Sequence, residues 1–267
     1  GVKFTTMNIP LYIIDTFTSE LFTGNTAGVC PLVEWLPEQA MMNIAAENAY
    51  SETAFFVASG GNYELRWFTP TTEVELCGHA TLATAFVLNE CMNSKNKEFI
   101  FHTLSGELTV SISDNIYYLN FPARKIQAME INDNIAGCIG VKPINLVRAA
   151  KTFIAELSNE AQVASASPCF EKILDLDCNG LIITAEGREV DFVSRFFGPK
   201  VGIPEDPVTG SAHCGLVPYW YQKLGRQQMI AHQLSERGGT LYCENLNDRV
   251  VIGGNVVLYN SGEIYLP

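Results

Sequence analysis

The sequence predicts an α+β protein of two similar lobes, each a set of strands wrapped around a central helix. Two observations carry that prediction. The first is an internal repeat. Glu75-Leu76-Cys77-Gly78-His79-Ala80-Thr81-Leu82-Ala83 has an echo in the second half, Glu205-Asp206-Pro207-Val208-Thr209-Gly210-Ser211-Ala212. Arg66-Trp67-Phe68-Thr69-Pro70 answers to Arg195-Phe196-Phe197-Gly198-Pro199. Further on, Phe101-His102-Thr103-Leu104-Ser105-Gly106 answers to Ala231-His232-Gln233-Leu234-Ser235, with Gly238-Gly239 close behind. Matches kept in order at nearly constant offset mark a duplicated unit, and two copies are fewer than the roughly three a solenoid needs. The second observation is the segment after Gly78. Ala80, Leu82, Ala83, Ala85, Phe86, Val87 and Leu88 leave almost no polar face, the pattern of a helix surrounded by protein. Two lobes facing each other across a cleft are the expected result.

A chain of 267 residues accommodates two domains of ordinary size. The expected division is 7–124 and 125–267, because the repeat loses detectable identity between 123 and 145. Along the first lobe, Leu11–Asp15 is an apolar, β-branched strand. Gly24 to Gly28 reads as a turn, followed by a strand through Val29-Cys30-Pro31-Leu32. Pro37 suits the first turn of a helix that runs to about Asn48, with Met41, Ile44 and Ala45 at helical spacing. Glu52–Val57 and Glu64–Phe68 form a hairpin about Gly60-Gly61-Asn62. The buried helix follows, then strands at Glu98–His102, Leu108–Ser113 and Ile116–Phe121.

In the second lobe, Asn132-Asp133-Asn134 caps a short helix running to Cys138. Strands are expected at Val147–Leu157, Gly180–Thr184 and Val190–Phe197, and a helix at Pro168–Leu174. A second buried helix opens at Gly210, carries Leu216, Tyr219, Trp220 and Leu224, and ends at Gly225. Pro218 inside it is expected to kink it or interrupt its hydrogen bonding. Strands at Leu241–Glu244, Arg249–Ile252, Val256–Tyr259 and Glu263–Tyr265 complete the chain. The last is a candidate to cross back and pair with the first lobe, a choice the sequence leaves open.

Hydrophobic content of 47% with 17% charged residues supplies a buried core and argues against disorder. A net charge of −12 speaks against nucleic acid or an anionic membrane surface as partner. Eight cysteines are scattered without a CxxC pair, as in a reduced intracellular protein. No apolar run approaches the ~18 residues of a membrane span, and the N-terminus lacks the pattern of a signal peptide. A cytoplasmic location is therefore expected. Met7 reads as a plausible natural start and Gly1 as a residue of an expression tag, so residues 1–6 are set aside from the fold argument.

If Gly78 and Gly210 each open a buried helix, two helix N-termini stand at related positions. Each offers unsatisfied backbone N–H groups and about half a positive charge, and two aimed at one chamber cradle an anion without lysine or arginine. Thr209 or Ser211 is placed to cap the second helix or to donate to a ligand. One such glycine alone would be nothing more than a helix start; the duplication favours the cradle.

At these residues the chain resembles the PhzF-like family of phenazine biosynthesis-like proteins. The resemblance rests on Gly24-Asn25 with Ala27, Ser51-Glu52-Thr53-Ala54-Phe55, Arg66-Trp67-Phe68-Thr69-Pro70, Cys77-Gly78-His79-Ala80-Thr81-Leu82-Ala83 and Glu205-Asp206-Pro207-Val208-Thr209-Gly210-Ser211-Ala212. Ser105-Gly106 and Arg237-Gly238-Gly239 fit as well, so nearly the whole chain from Met7 is covered. It implies a diaminopimelate-epimerase-like fold, two pseudo-symmetric lobes that are each a β-barrel around a helix, with the site between them. It also implies a homodimer, no cofactor, and isomerisation of a small carboxylic acid by one carboxylate that moves a proton.

That carboxylate maps onto Glu52. Its apolar company, Ala54-Phe55-Phe56 after it and Tyr50 before, is of the kind that raises a carboxyl pKa toward the range useful for taking and giving a proton. Glu47, on the preceding helix, is the rival and reads as a solvated position. The resemblance also places His79 and Asp206 at the site, His79 to orient substrate or share the proton and Asp206 to hold a substrate amine, hydroxyl or His79. It makes Asn25, Gly78, Gly210, Ser211 and Ala212 the substrate-binding positions.

Cys77 keeps another reading open, since cofactor-free epimerases of this fold use two cysteines, one just before each helix glycine. The matching residue in the second lobe is Thr209, too weak an acid for that duty, and Cys214 lies a turn too far along. A cysteine-assisted racemase is thus the second reading, and a binding or scaffold protein without turnover the third. Cys77, His79, His213 and Cys214 include zinc-type ligands, but adjacent His213 and Cys214 diverge on a helix and no usual zinc spacing is present. No metal is expected.

Overall fold

A computed structural model describes residues 7–266; residues 1–6, set aside from the fold argument, lie outside the described residues. The chain forms β1 (Met7–Thr16), β2 (Asn25–Leu32), α1 (Glu38–Asn48), β3 (Glu52–Ser59), β4 (Asn62–Phe68), β5 (Glu73–Val74) and α2 (Gly78–Phe86). A π-helical turn (Val87–Cys91) leads to β6 (Glu98–Thr103), β7 (Gly106–Ser113), β8 (Ile116–Pro122), β9 (Ile126–Ala128) and α3 (Asp133–Ile139). Then come β10 (Asn145–Ala149), β11 (Thr152–Glu156), α4 (Glu160–Ser165), α5 (Phe170–Leu174), β12 (Gly180–Glu186), β13 (Phe192–Gly198) and β14 (Ile203–Asp206). The chain ends with α6 (Gly210–Leu224), β15 (Gln228–Gln233), β16 (Gly239–Leu246), β17 (Arg249–Gly254) and β18 (Val256–Leu266). The class is α+β, as expected.

Two compact units divide this chain: residues up to Leu119 together with those from Gly254 on, and Asn120–Gly253. In the first, β18 pairs antiparallel with β1, β1 antiparallel with β2, and β2 parallel with β3. β3 pairs antiparallel with β4, and β4 pairs antiparallel with the short β5 and parallel with β6. β6 with β7 and β7 with β8 are antiparallel. The second unit repeats this strand for strand. β9–β10 and β10–β11 are antiparallel, β11–β12 parallel, β12–β13 and β13–β14 antiparallel. β13–β15 is parallel, and β15–β16 and β16–β17 are antiparallel.

Each parallel joint requires a crossover. Helix α1 supplies the first in one unit, α4 and α5 in the other; α2 and α6 supply the second. β18 therefore stands to β1 as β9 stands to β10. The register of β18 pairs Met7 with Leu266 and Thr16 with Val256, the cross-back that the sequence left open for the last strand.

Helix α2 is apolar all round because strands β1, β2, β3, β7 and β18 pack on it; Ala80, Leu82, Ala83 and Ala85 are fully buried. At ~25 cal/mol per Å² of apolar surface, this burial rather than intrinsic propensity holds the helix. Helix α6 runs unbroken through Pro218. Proline cannot donate to the carbonyl four residues back, and that carbonyl, of Cys214, accepts the Arg124 N–H instead at 2.9 Å. The helical hydrogen bonding is interrupted there as expected, and a donor from outside the helix takes the freed carbonyl.

Three expectations on the elements are corrected. Asn25 to Gly28 is strand, paired with β1, not turn. The single strand expected at 147–157 is a hairpin that reverses at Ala150, where φ is +53°. The two final strands are one, β18. Helix α4 and strands β5, β9, β14 and β15 lie outside the expected elements. Asn132 caps α3 as expected, its side chain accepting from the Ile135 N–H at 3.3 Å.

Candidate active site

In the first unit, the parallel register of β2 and β3 sets Glu52 beside Ala27. Glu52 opens β3 just after α1 ends in a left-handed turn at Ala49. It is a buried residue, 8% exposed, whereas the rival Glu47 is exposed. Cys77 is the N-cap of α2, and His79 lies in that helix's first turn. Nε2 of His79 stands 3.3 Å from Oε2 of Glu52, and Nδ1 stands 3.4 Å from Sγ of Cys77. Carboxylate, imidazole and thiol thus form one short row at a helix N-terminus.

Burial lowers the pKa of His79 from its ordinary value to about 4, against an opposing backbone hydrogen bond with Thr26. At neutral pH the imidazole is therefore uncharged, with one nitrogen a donor and the other an acceptor. Shifting its one proton between the two nitrogens changes which neighbour it donates to, which is what a proton shuttle requires.

The strand before this row is tightly held. Oγ1 of Thr16 donates to the carbonyl of Asn25 at 2.9 Å, Oγ1 of Thr26 donates to Oδ1 of Asp15 at 2.6 Å, and Ser51 Oγ donates to Oδ1 of Asn25 at 3.5 Å. Gly24 sits at φ +70°, where a Cβ would meet the Thr16 carbonyl oxygen at 2.1 Å.

The second unit builds a related helix start from different chemistry. Thr209 is the N-cap of α6, and its hydroxyl donates to Oδ2 of Asp206 at 2.6 Å. Gln233, 1% exposed, locks this turn: its Oε1 accepts from the Thr209 N–H at 2.8 Å and its Nε2 donates to the Asp206 carbonyl at 2.9 Å. Gly210 and Ala212 are buried and Ser211 is half-buried at the first turn. Where Thr81 donates to the Cys77 carbonyl at 2.6 Å, His213 meets the Thr209 carbonyl through Nδ1 at 2.8 Å. Burial lowers the pKa of His213 to about 4. Cys214, buried deeper along α6, has its thiol pKa pushed up to about 11 by burial, which leaves it unreactive.

Gln233 was not singled out from sequence. The signal available was its place in the third repeat match, where it stands opposite Thr103. Donors for a metal also group differently from the sequence expectation: Glu52, not His213 or Cys214, joins Cys77 and His79, with donor atoms within 4.8 Å of one another. Among the described residues no helix is long and apolar enough to cross a membrane, and none of the eight cysteines is in a disulfide.

This duplicated α+β architecture is the diaminopimelate-epimerase-like fold, shared with epimerase and racemase structures. The chain belongs to the PhzC/PhzF family, described as phenazine biosynthesis-like protein, whose sequence pattern matches residues 14–262. An uncharacterized isomerase of Pseudomonas aeruginosa is 42% identical over 260 residues, covering 97% of this chain and 100% of the relative. The crystal structure of a phenazine biosynthesis protein of the PhzF family from Enterococcus faecalis matches with a TM-score of 0.95 at 46% identity, covering 97% of this chain and 100% of that one. A hydroxyproline epimerase from Agrobacterium vitis shares the fold, with a TM-score of 0.58 at 10% identity over 97% of this chain and 93% of that one.

Proposed function

We propose that this protein is a cofactor-independent isomerase that moves a proton on a small carboxylic acid, with Glu52 as the acid and base. The observation that supports this most is the 3.3 Å approach of a buried, uncharged imidazole to the Glu52 carboxylate. The name carried by the Pseudomonas aeruginosa relative points to the same reaction class.

Glu52 would take a proton from the carbon next to the acid group, since removal there is eased by delocalisation into the carboxyl. His79 would carry the proton or hold the carboxylate in place, and a group positioned in this way contributes about 10²–10⁴-fold. Backbone N–H groups at the start of α2, at Gly78 and His79, would bind the substrate carboxylate, because a helix N-terminus favours an anion. The family resemblance adds Asn25, Gly210, Ser211 and Ala212 as substrate-binding positions and Asp206 as a residue that would orient a polar substituent. A homodimer in the cytoplasm completes the proposal; eight cysteines without a disulfide are in keeping with a reducing compartment.

A second reading has its own observation. Sγ of Cys77 lies 3.4 Å from Nδ1 of His79, at a helix N-cap that favours a thiolate, so a cysteine-assisted epimerase competes with the carboxylate mechanism. A protein that binds an acid without turnover is the third. Incubation with a panel of cyclic and α-amino carboxylic acids in D2O, followed by NMR, tests the proposal. Deuterium entering next to the carboxyl of at least one acid is the result expected, and tight binding without exchange would leave a binding protein.

A further inference from the structure

We propose that Glu52, Cys77 and His79 also form a binding site for a thiophilic divalent cation of the zinc type. A carboxylate oxygen, a sulfur and an imidazole nitrogen, one from each residue, lie within 4.8 Å of one another, and all three residues are buried. The separation of 3.3 Å between Nε2 of His79 and Oε2 of Glu52 is close to the ~3.4 Å between two ligand atoms of a tetrahedral zinc, given bonds of about 2.1 Å to nitrogen and to oxygen. A mixed oxygen, nitrogen and sulfur set selects zinc-group cations over magnesium or calcium, which take oxygen ligands.

Nε2 of His79 makes no hydrogen bond of good geometry, although it faces Glu52. The backbone bond with Thr26 is of the kind that fixes a ligating imidazole from behind. On binding, Cys77 loses its thiol proton to the buffer as the sulfur–metal bond forms, so one proton leaves for each ion bound. Three protein ligands leave the fourth tetrahedral position for water, and a bound ion occupies the Glu52 and His79 atoms that the proposed proton transfer needs, so the metal-bound chain is not the form that turns over. Cys214 is a poor rival ligand, its thiol pKa pushed up to about 11, and burial pushes Cys30 and Cys243 up further.

The site stands whether or not the isomerase reading holds, because binding is read without turnover. The test is titration calorimetry and equilibrium dialysis of the purified chain with Zn2+ alone, repeated with Co2+ for its spectrum. One ion per chain is expected, with heats that depend on the buffer's proton uptake and a thiolate-to-cobalt charge-transfer band. Glu52→Gln is expected to weaken binding at least about tenfold, and Cys77→Ser and His79→Gln about a hundredfold, since removing even an outer-shell partner costs about 10–100-fold. Melting of each variant without metal checks that it folds. Absence of the cobalt band in the wild-type chain, or equal affinity in folded Cys77→Ser or His79→Gln, would overturn the proposal.

Discussion

Nε2 of His79, in the first turn of α2, lies 3.3 Å from Oε2 of Glu52, at the start of β3. Neither residue type is unusual alone. Joined inside a buried helix start they make a pair whose protonation the protein controls, and that pair carries the proposed chemistry.

Burial sets the pH behaviour. His79 and His213 each have the folded-state pKa lowered from 6.5 to about 4. The unfolded chain therefore takes up protons first, and stability rises with pH wherever that is so. Both contributions are fully present above pH 6.5 and are lost as pH falls toward 4. At 1.36 kcal/mol per pKa unit, each is worth at most about 3 kcal/mol. Urea unfolding across this range is expected to show a steep loss in the wild type and a shallower one in His213→Gln.

An ion pair is duplicated with the fold, and its two copies are expected to differ in weight. Arg195 grips Glu205 at 2.8 and 2.9 Å, lies over Phe197, and donates to the carbonyl of Ala166 at 2.8 Å. Arg66 grips Glu73 at 2.7 Å twice and lies over Phe68, but its further partner is the exposed Glu38. The side chain of Arg195 is 11% exposed and that of Arg66 25%. Arg195→Ala should cost about 3–5 kcal/mol, as when a buried pair is broken. Arg66→Ala should cost about 1–2 kcal/mol, between the buried and surface cases. Denaturant midpoints of the two variants check the order.

Gly24→Ala tests the turn that delivers Asn25 to its place. The added Cβ would lie 2.1 Å from a backbone oxygen, that of Thr16, at φ +70°. Backbone cannot swing aside as a side chain can, so a loss above about 4 kcal/mol is expected. A melting temperature close to wild type would contradict this.

The duplication was legible because glycine, proline and arginine punctuate both halves: Arg66 and Arg195, Pro70 and Pro199, Gly78 and Gly210 keep their order. The buried helices were legible from their lack of a polar face. What hid β15 is that its inward residues include Ala231 and Gln233, weak signals of a two-residue period. The reversal at Ala150 hid because alanine rarely takes a positive φ. Asn260-Ser261-Gly262 reads as a turn, yet β18 continues through it, paired with β1 on both sides and with a register shift just before Asn260. Glu52, Cys77 and His79 were each singled out, but their meeting depends on the β2–β3 register, which sequence spacing does not encode. Gln233 was missed because a buried glutamine gains its meaning only from the Asp206–Thr209 turn it holds.

The central claim is that Glu52 carries the proton. It is tested most directly by the rate of solvent deuterium exchange into a turned-over acid, compared among wild type, Glu52→Gln and Cys77→Ala, each shown folded by its thermal transition. The account predicts exchange down about 10²–10⁴-fold in Glu52→Gln and within about tenfold of wild type in Cys77→Ala. Exchange that survives in Glu52→Gln and vanishes in Cys77→Ala would contradict it.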